Sequence, residues 1–201
     1  KKIINSINKF NDRKIYFYQN DLRDTKEIDT IFQTQISLQK PIEAVIHFAG
    51  LKSVQESVLN PLKYWDENIN ATLSLLSVMA KYECRKFVFS SSASIYKPTK
   101  DSKLHEDSYK KPINPYGNTK NTIEKILDDL FLSDQSWKII NLRYFNPVGA
   151  HPSGFIGEDP KINASNLFPI ITKVILGDLK KLYIFGNDWP TPDGTCIRDY
   201  I

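Results

Sequence analysis

The sequence predicts an α/β fold built on a doubly wound parallel sheet, and its apolar pattern is the main reason. Short apolar runs of strand length recur along the chain, and segments long enough for a crossover helix separate them. The runs are nearly continuous rather than alternating, which is typical of strands buried on both faces. We therefore expect parallel strands with helices packed on both sides of the sheet.

Five apolar runs have the length of strands. They cover residues 15–18, 44–48, 87–90, 139–144 and 182–185. Because helical patterns separate successive runs, the strands are expected to be parallel and joined by crossover helices.

Between the runs, apolar residues recur three and four positions apart, which predicts helices. The predicted helices cover residues 25–38, 61–82 and 116–131, and a shorter one lies near 167–176. Pro61 suits a first helical turn, where its missing N–H removes no hydrogen bond. After Phe145 the sequence changes to a loop rich in turn formers. We therefore predict two domains, residues 1–145 and 146–201.

Composition excludes several classes of protein. Hydrophobic residues make up 41% and charged residues 25% of the chain, which is typical of a soluble globular protein. The 27 Lys and Arg exceed the 23 Asp and Glu only slightly and form no basic stripe, so nucleic acid is not indicated. No apolar run is long enough for a membrane span or a signal peptide, and the protein is predicted to be cytoplasmic. Cys84 and Cys196 lie far apart and are expected to be reduced thiols, without a metal site.

Small and hydroxyl-bearing residues follow two of the predicted strands. In an open α/β sheet the ligand lies beyond the carboxyl ends of the strands. Ala49 and Gly50, followed by Lys52, would let a ligand approach the backbone, although an ordinary strand-to-helix turn explains them too. The serines at 90–92 could donate hydrogen bonds to a bound oxygen, although serines are also common in turns.

Tyr116 and Lys120 are four residues apart and therefore share a face of the helix predicted after Pro115. A phenol with a pKa of about 10 is a poor base at neutral pH. A neighbouring ammonium favours the phenolate and is expected to lower that pKa, so that Tyr116 could exchange a proton with a substrate hydroxyl. This spacing also arises by chance, and Ser92 upstream is what makes it significant.

Ser92, Tyr116 and Lys120, in this order and in these contexts, resemble the catalytic set of the extended short-chain dehydrogenase/reductase family. Further segments resemble the UDP-glucose 4-epimerase branch of that family. They are residues 46–52, 90–93, 142–154, 157–160, 185–188, 193–195 and 198–200. The similarity extends over nearly the whole chain.

The resemblance implies a Rossmann-like domain and the start of a smaller substrate-binding domain. It implies that NAD remains bound while UDP-glucose and UDP-galactose are interconverted by reversible oxidation at the sugar C4, through a 4-keto intermediate. Tyr116 would accept and return the proton of the 4-hydroxyl, and Ser92 would hydrogen-bond that oxygen. Lys120 would hold the nicotinamide ribose and lower the pKa of Tyr116.

The resemblance also implies binding residues. For NAD they are Asp21, Leu22, Phe48, Ala49, Gly50, Lys52, Ser92, Tyr116, Lys120 and Phe145. For the UDP-sugar they are Lys52, Ser92, Tyr116, Asn146, Asn166, Tyr183, Ile184, Phe185 and Arg198. It further implies a homodimer of the full-length protein, formed through helix 61–82 and the helix after Tyr116, although their apolar faces could simply cover the sheet.

The chain departs from the family pattern at Lys97 and Asn118, where little effect is expected, and at two further places that concern the cofactor. Where the family often has two successive asparagines, this chain has Glu67 followed by Asn68, which puts one cofactor contact in doubt. The eight glycines form no glycine-rich turn for the pyrophosphate, so the first strand and that turn are missing. The sequence is therefore expected to be an internal fragment, which would neither fold well nor turn over alone.

Other functions stay open at the level of sequence. Sugar-nucleotide 4,6-dehydratases normally carry an Asp-Glu pair where this chain has Ala93 and Ser94, which makes elimination less well supported. A UDP-glucuronate epimerase or decarboxylase is a further alternative. A non-catalytic NAD-binding sensor is the alternative from another class, although the serine, tyrosine and lysine are all present.

Overall fold

The computed structural model describes residues 15–98, 103–158, 166–184 and 186–201, together with Ile4, Ile7 and Pro160. The chain divides into two compact units. One is Tyr18–Tyr144, and the other combines Phe145–Ile201 with Lys1–Phe17. The assignment of a cofactor domain and a substrate domain to residues 1–145 and 146–201 stays a prediction.

In the described residues, a three-stranded parallel sheet forms the centre of the unit Tyr18–Tyr144. Its strands are β1 (Val45–His47), β2 (Lys86–Ser92) and β3 (Lys138–Tyr144), in the spatial order β1-β2-β3. Because the strands are parallel, their carboxyl ends lie along one edge of the sheet. The predicted α/β fold is confirmed, and this edge positions the candidate site.

Within the residues that the structure describes, five α-helices accompany the sheet. They are α1 (Thr25–Ser37), α2 (Val54–Leu59), α3 (Pro61–Trp65), α4 (Ala71–Lys81) and α5 (Pro115–Ser133). A π-helical turn, Asp66–Asn70, joins α3 to α4, and a 3₁₀ turn, Ala93–Ile95, follows β2. The single helix predicted over 61–82 is thus interrupted in its middle. A π turn inserts one residue into the helical repeat, which apolar spacing alone does not reveal.

Local sequence explains where the helices begin. The Asp24 side chain accepts hydrogen bonds from two backbone N–H groups in the first turn of α1. The Asn114 side chain accepts one from the backbone N–H of Gly117 at 2.8 Å, and Pro115 is the first residue of α5. The start of α5, which carries Tyr116, is therefore fixed by its cap.

The core of this unit lies on one face of the sheet. Side chains from α1, α4 and α5 bury Phe87 and Phe89 of β2 on this face. Ile46 and Ile140 on the opposite face are exposed. Right-handed crossovers between strands in sequential order place the connecting helices on the same side, so in the described residues only this face is covered.

The second unit contains α6 (Leu167–Ile175) and a parallel bridge between Asn146 and Tyr200. The strands predicted at 15–18 and 182–185 are wrong for the described residues. Residues 15–18 and 182–184 are exposed and have no strand conformation. An apolar run of this length does not by itself establish a strand, because the pattern does not say whether the segment is buried in a sheet.

Candidate active site

The three serines at the carboxyl end of β2 are buried and make different contacts. Ser90 Oγ donates to the backbone oxygen of His47 at 2.8 Å, and Ser91 Oγ donates to Glu124 Oε1 at 2.5 Å. Ser92 Oγ lies 3.2 Å from Ser94 Oγ and accepts from the Ser94 backbone N–H at 3.2 Å. The first two hydroxyls are held by distant parts of the chain, whereas Ser92 contacts its local turn and Tyr116.

Gly117 lets the first turn of α5 lie directly against the turn after β2. A Cβ atom at Gly117 would lie 2.5 Å from the Ser94 carbonyl oxygen and 3.0 Å from Pro112 Cβ, both too close. The absence of a side chain therefore brings Tyr116 up to Ser92. The spacing of Tyr116 and Lys120 does not predict this contact, but a glycine in a helix costs stability and so signals a packing reason.

The phenol of Tyr116 is half-buried, and its pKa is raised. Burial raises it, and a hydrogen bond with the Ser92 side chain opposes this effect only in part. The sequence predicts the opposite direction, through the ammonium of Lys120. That ammonium lies 5.9 Å from the centre of the Tyr116 ring and donates to the backbone oxygen of Ser90 at 2.8 Å. Desolvation therefore sets the direction of the Tyr116 pKa, and the phenol is neutral at neutral pH.

Lys120 is a buried cation, with only 5% of its surface exposed. Its Nζ lies 4.7 Å from the centre of the Phe89 ring, and burial lowers the pKa of Lys120 to about 8. No acidic side chain in the described ranges forms an ion pair with it. An ammonium has three donors, so Lys120 keeps capacity to bind hydroxyl or phosphate oxygens.

Asn68 fixes the loop that follows β1. Its Oδ1 accepts from the backbone N–H of Leu51 at 2.8 Å, and its Nδ2 donates to the oxygen of Leu51 at 3.2 Å and to Thr119 Oγ1 at 3.1 Å. Gly50 has φ +146°, and a Cβ there would lie 3.0 Å from Asn68 Oδ1 and 3.9 Å from Lys120 Nζ. Asn68 thus holds the bare Gly50 backbone beside Lys120. The sequence did not predict this role of Asn68, because the π turn that orients it leaves no simple pattern.

An open groove of about 560 Å³ runs beside Gly50. It is lined by Gln19, Asn20, Asp21, Leu22, Ala49, Gly50, Leu51, Glu67 and Ala71. Four residues predicted to bind the cofactor, Asp21, Leu22, Ala49 and Gly50, are therefore brought together. Hydrogen bonds from Arg23 lower the pKa of Asp21 to about 2, and Arg23 also reaches Glu67 at 3.2 Å.

His47 lies behind the site, and it is neutral. Burial, reinforced by the nearby charge of Lys120, lowers the pKa of His47 to about 4. Its Nε2 lies 3.0 Å from Thr72 Oγ1, which donates to the backbone oxygen of Asn68 at 2.7 Å. Across the described residues, no cluster of His, Cys, Asp and Glu could hold a metal ion.

Two predicted residues of the first unit lie at its surface. Phe48 is exposed and contacts the ring of Tyr144 at 6.2 Å between ring centres. Lys52 is exposed in the loop after Gly50.

The other predicted residues belong to the unit Phe145–Ile201. Phe145 is half-buried, and Asn146 Nδ2 donates to the oxygen of Asp199 at 2.8 Å, next to Arg198. Asn166 Nδ2 donates to Glu158 at 3.0 Å. Tyr183, Ile184 and Arg198 are exposed, and Phe185 lies outside the described residues.

Comparison with known proteins gives a match over residues 3–201 to the family described as "NAD dependent epimerase/dehydratase family". The UDP-glucose 4-epimerase of Bacillus subtilis is 48% identical over 198 residues, which cover 98% of this chain and 57% of that protein. UDP-glucose 4-epimerase 2 of Arabidopsis thaliana is 50% identical over 191 residues, covering 95% of this chain and 53% of that protein.

A solved structure is also similar. The crystal structure of UDP-glucose 4-epimerase from Bifidobacterium longum in complex with NAD+ and UDP has a TM-score of 0.89 and 43% identity, over 98% of this chain and 58% of that one. The chain thus spans somewhat more than half the length of these relatives. No helix within the described ranges is both long and apolar enough to span a membrane.

Proposed function

The chain belongs to the NAD dependent epimerase/dehydratase family, and on that premise we propose that its gene product interconverts UDP-glucose and UDP-galactose with bound NAD. The observation that carries the proposal is the placement of Ser92, Tyr116 and Lys120 around the end of β2, with the Gly50 backbone beside the lysine. The relatives that share this segment at about half identity are UDP-glucose 4-epimerases.

The residues of the first unit fit NAD. Gly50 offers backbone without a side chain, and Lys120 offers a buried cation with unused donors. Asp21 and Leu22 line the same groove and would hold the adenosine end. When bound, oxidised nicotinamide accepts a hydride and brings a positive charge to the site.

Tyr116 would exchange the proton of the substrate 4-hydroxyl, and Ser92 would hold that oxygen in position by a hydrogen bond. Burial keeps the phenol neutral, so the proton leaves only when nearby positive charge stabilises the phenolate. Lys120 supplies one such charge from its buried position. In the reverse direction Tyr116 would return the proton to the oxygen while the hydride held by NAD would return to C4, so that no net oxidation results.

Replacement of Tyr116 by phenylalanine tests this function. Tyr116→Phe in the gene product that carries these residues should lower the rate of UDP-galactose conversion by about 10² to 10⁴-fold, because the proton-transferring group is removed. NAD binding should persist. Tyr109→Phe, at an exposed tyrosine, is the control and should keep full activity. Unchanged turnover in Tyr116→Phe would refute the assignment, and no turnover in the unaltered protein would favour a non-catalytic sensor.

The substrate would be held by residues of the second unit. We propose that Asn146, Asn166, the segment Tyr183–Ile184 with Phe185, and Arg198 bind the UDP-sugar, with the guanidinium of Arg198 on the diphosphate. Support comes from the family resemblance and from the exposure of Tyr183, Ile184 and Arg198. Arg198→Ala should raise KM for the UDP-sugar more than it lowers kcat.

A homodimer is also proposed. Large apolar side chains on α2, α3 and α5 are exposed, among them Leu59, Leu132 and Leu62, which is 81% exposed. A second copy that covers these helices would bury them. Sedimentation of the gene product should give a dimer, and Leu62→Glu should shift it to a monomer.

We also propose that the protein is cytoplasmic. Imaging a tagged gene product in cells would test this location.

A further inference from the structure

Glu124 is a fully buried carboxylate one helical turn beyond Lys120 on α5. Its Oε1 accepts from Ser91 Oγ at 2.5 Å and from Arg143 Nε at 3.0 Å. Its Oε2 accepts from Lys110 Nζ at 2.8 Å and from Arg143 Nη2 at 2.9 Å. Both oxygens are therefore engaged by donors that come from three separate segments.

These segments are the ones that carry the site. Ser91 immediately precedes Ser92 on β2, and Arg143 lies near the end of β3. Arg143 Nη1 donates to the hydroxyl of Tyr96 at 2.7 Å, and Tyr96 pairs with Lys110 in an antiparallel bridge. Glu124 thus ties the end of β2, the end of β3 and the segment leading into α5 to one point on the helix that carries Tyr116.

Stability alone does not require a carboxylate at this position. Burying two charges costs desolvation energy, and apolar side chains of similar volume often stabilise a fold as well or better. The carboxylate instead fixes the orientation of its donors, because each donor must point at a defined oxygen. The donor closest to Glu124 is the hydroxyl of Ser91, the neighbour of the proposed catalytic serine.

We propose that Glu124 is a positioning residue, which holds Ser91 and thereby sets the Ser92 hydroxyl against the Tyr116 phenol. This inference rests on the proposed function, because it assigns Glu124 a part in the same proton transfer. In the described part of the chain, Ser92 from β2 and Lys120 from α5 face Tyr116. Displacing Ser92 removes a hydrogen bond that favours the phenolate.

Ser91→Ala tests the proposal in the gene product that carries these residues. The variant leaves Glu124 with its donors from Lys110 and Arg143, so the buried charge stays paired. Two readouts are needed. Steady-state kinetics with UDP-galactose should show kcat lowered about tenfold to a hundredfold at neutral pH, with KM unchanged. NMR titration of ring-labelled tyrosine, with Tyr116 assigned from Tyr116→Phe, should place the phenol pKa higher than in the unaltered protein.

The matched controls are Ser77→Ala, at an exposed helical serine, and Asp128→Asn, one turn beyond Glu124 on the exposed side of α5. Neither should change kcat or the Tyr116 titration. Glu124→Gln should repeat the effect of Ser91→Ala, because the amide cannot accept from all four donors.

The outcomes separate the two proposals. If Ser91→Ala and Glu124→Gln lower only the amount of folded protein, and leave kcat per folded molecule and the Tyr116 titration unchanged, then Glu124 has a structural role alone and the inference is overturned. If the unaltered protein does not epimerise but Ser91→Ala still raises the pKa of Tyr116, then the proposed function fails and the positioning role stands.

Discussion

Lys120 and Glu124 occupy successive turns of the same face of α5, and both are buried, but their surroundings differ sharply. Glu124 accepts hydrogen bonds from Ser91, Lys110 and Arg143. Lys120 donates to a single backbone oxygen, that of Ser90, and no acidic group of the described residues pairs with it.

The pKa values follow this difference. Burial favours the neutral acid at Glu124, but hydrogen bonds from Arg143, Lys110 and Ser91 outweigh it and hold the pKa of Glu124 below its usual range. At Lys120 burial is not compensated, and the pKa falls to about 8. A buried charge whose partners lie within the fold stabilises the arrangement of the chain. A buried charge without such partners can instead be hydrogen-bonded by a ligand.

Removing the carboxylate of Glu124, which accepts hydrogen bonds within the fold, should have the largest effect on stability. Glu124→Ala leaves Arg143 and Lys110 without their acceptor, and Arg143 is mostly buried. We expect the free energy of unfolding to fall by about 3–5 kcal/mol. Urea denaturation of the gene product followed by circular dichroism measures it. Asp128→Ala, at an exposed carboxylate on the same helix, should change it by no more than about 0.5 kcal/mol.

Removing the ammonium of Lys120, which has no acidic partner among the described residues, should have the opposite effect on stability. Lys120→Met keeps the volume but takes away the desolvation cost, so we expect the free energy of unfolding at pH 7 to rise by roughly 1–3 kcal/mol. Turnover should nevertheless fall at least about a hundredfold. Loss of both stability and turnover, measured by denaturation and by conversion of UDP-galactose, would contradict the contrast with Glu124.

The pH dependence of that gain has a definite sign. The pKa of Lys120 is lowered from 10.5 to about 8 in the folded state, so the unfolded chain binds more protons between these values. The destabilisation by Lys120 is fully present below pH 8 and disappears as the pH rises toward 10.5. The stability difference between Lys120→Met and the unaltered protein should therefore shrink across this window. A difference that stays constant with pH would mean that the ammonium carries no such penalty.

A smaller loss of stability than that of Glu124→Ala is expected from a change at the contact that sets Tyr116 beside Ser92. Gly117→Ala places a methyl group 2.5 Å from the Ser94 carbonyl oxygen, so α5 must shift. We expect a loss of about 1–3 kcal/mol in the free energy of unfolding. The fall in kcat should exceed the fall in the amount of folded protein. Asn118→Ala, at the next position on the helix, is the control, because it introduces alanine without adding an atom against the Ser94 carbonyl oxygen.

Sequence predicted the parts of this site that depend on local spacing. The sheet strands β2 and β3, helix α5 and the four-residue separation of Tyr116 from Lys120 follow from apolar periodicity. The direction of the Tyr116 pKa does not, because it depends on how deeply the phenol is buried.

Contacts between distant segments could not be predicted from the sequence either. The donors to Glu124 lie 33, 14 and 19 residues away along the chain, so no pattern of fixed spacing marks them. The strands predicted at 15–18 and 182–185 are wrong for the described residues, which are exposed, because an apolar run does not say whether the segment is buried in a sheet. Gly117 and Asn68 act through close approach, which only the packed structure reveals.

The fate of the hydrogen at the sugar C4 tests the central claim most directly. UDP-galactose that carries deuterium at C4 is incubated with the gene product, and the UDP-glucose formed is analysed by NMR and mass spectrometry. If Tyr116, Ser92 and Lys120 support reversible oxidation with retained NAD, the deuterium should remain at C4 of the product, and Tyr116→Phe should form almost none. Release of the deuterium to water, or equal product from Tyr116→Phe, would contradict this account.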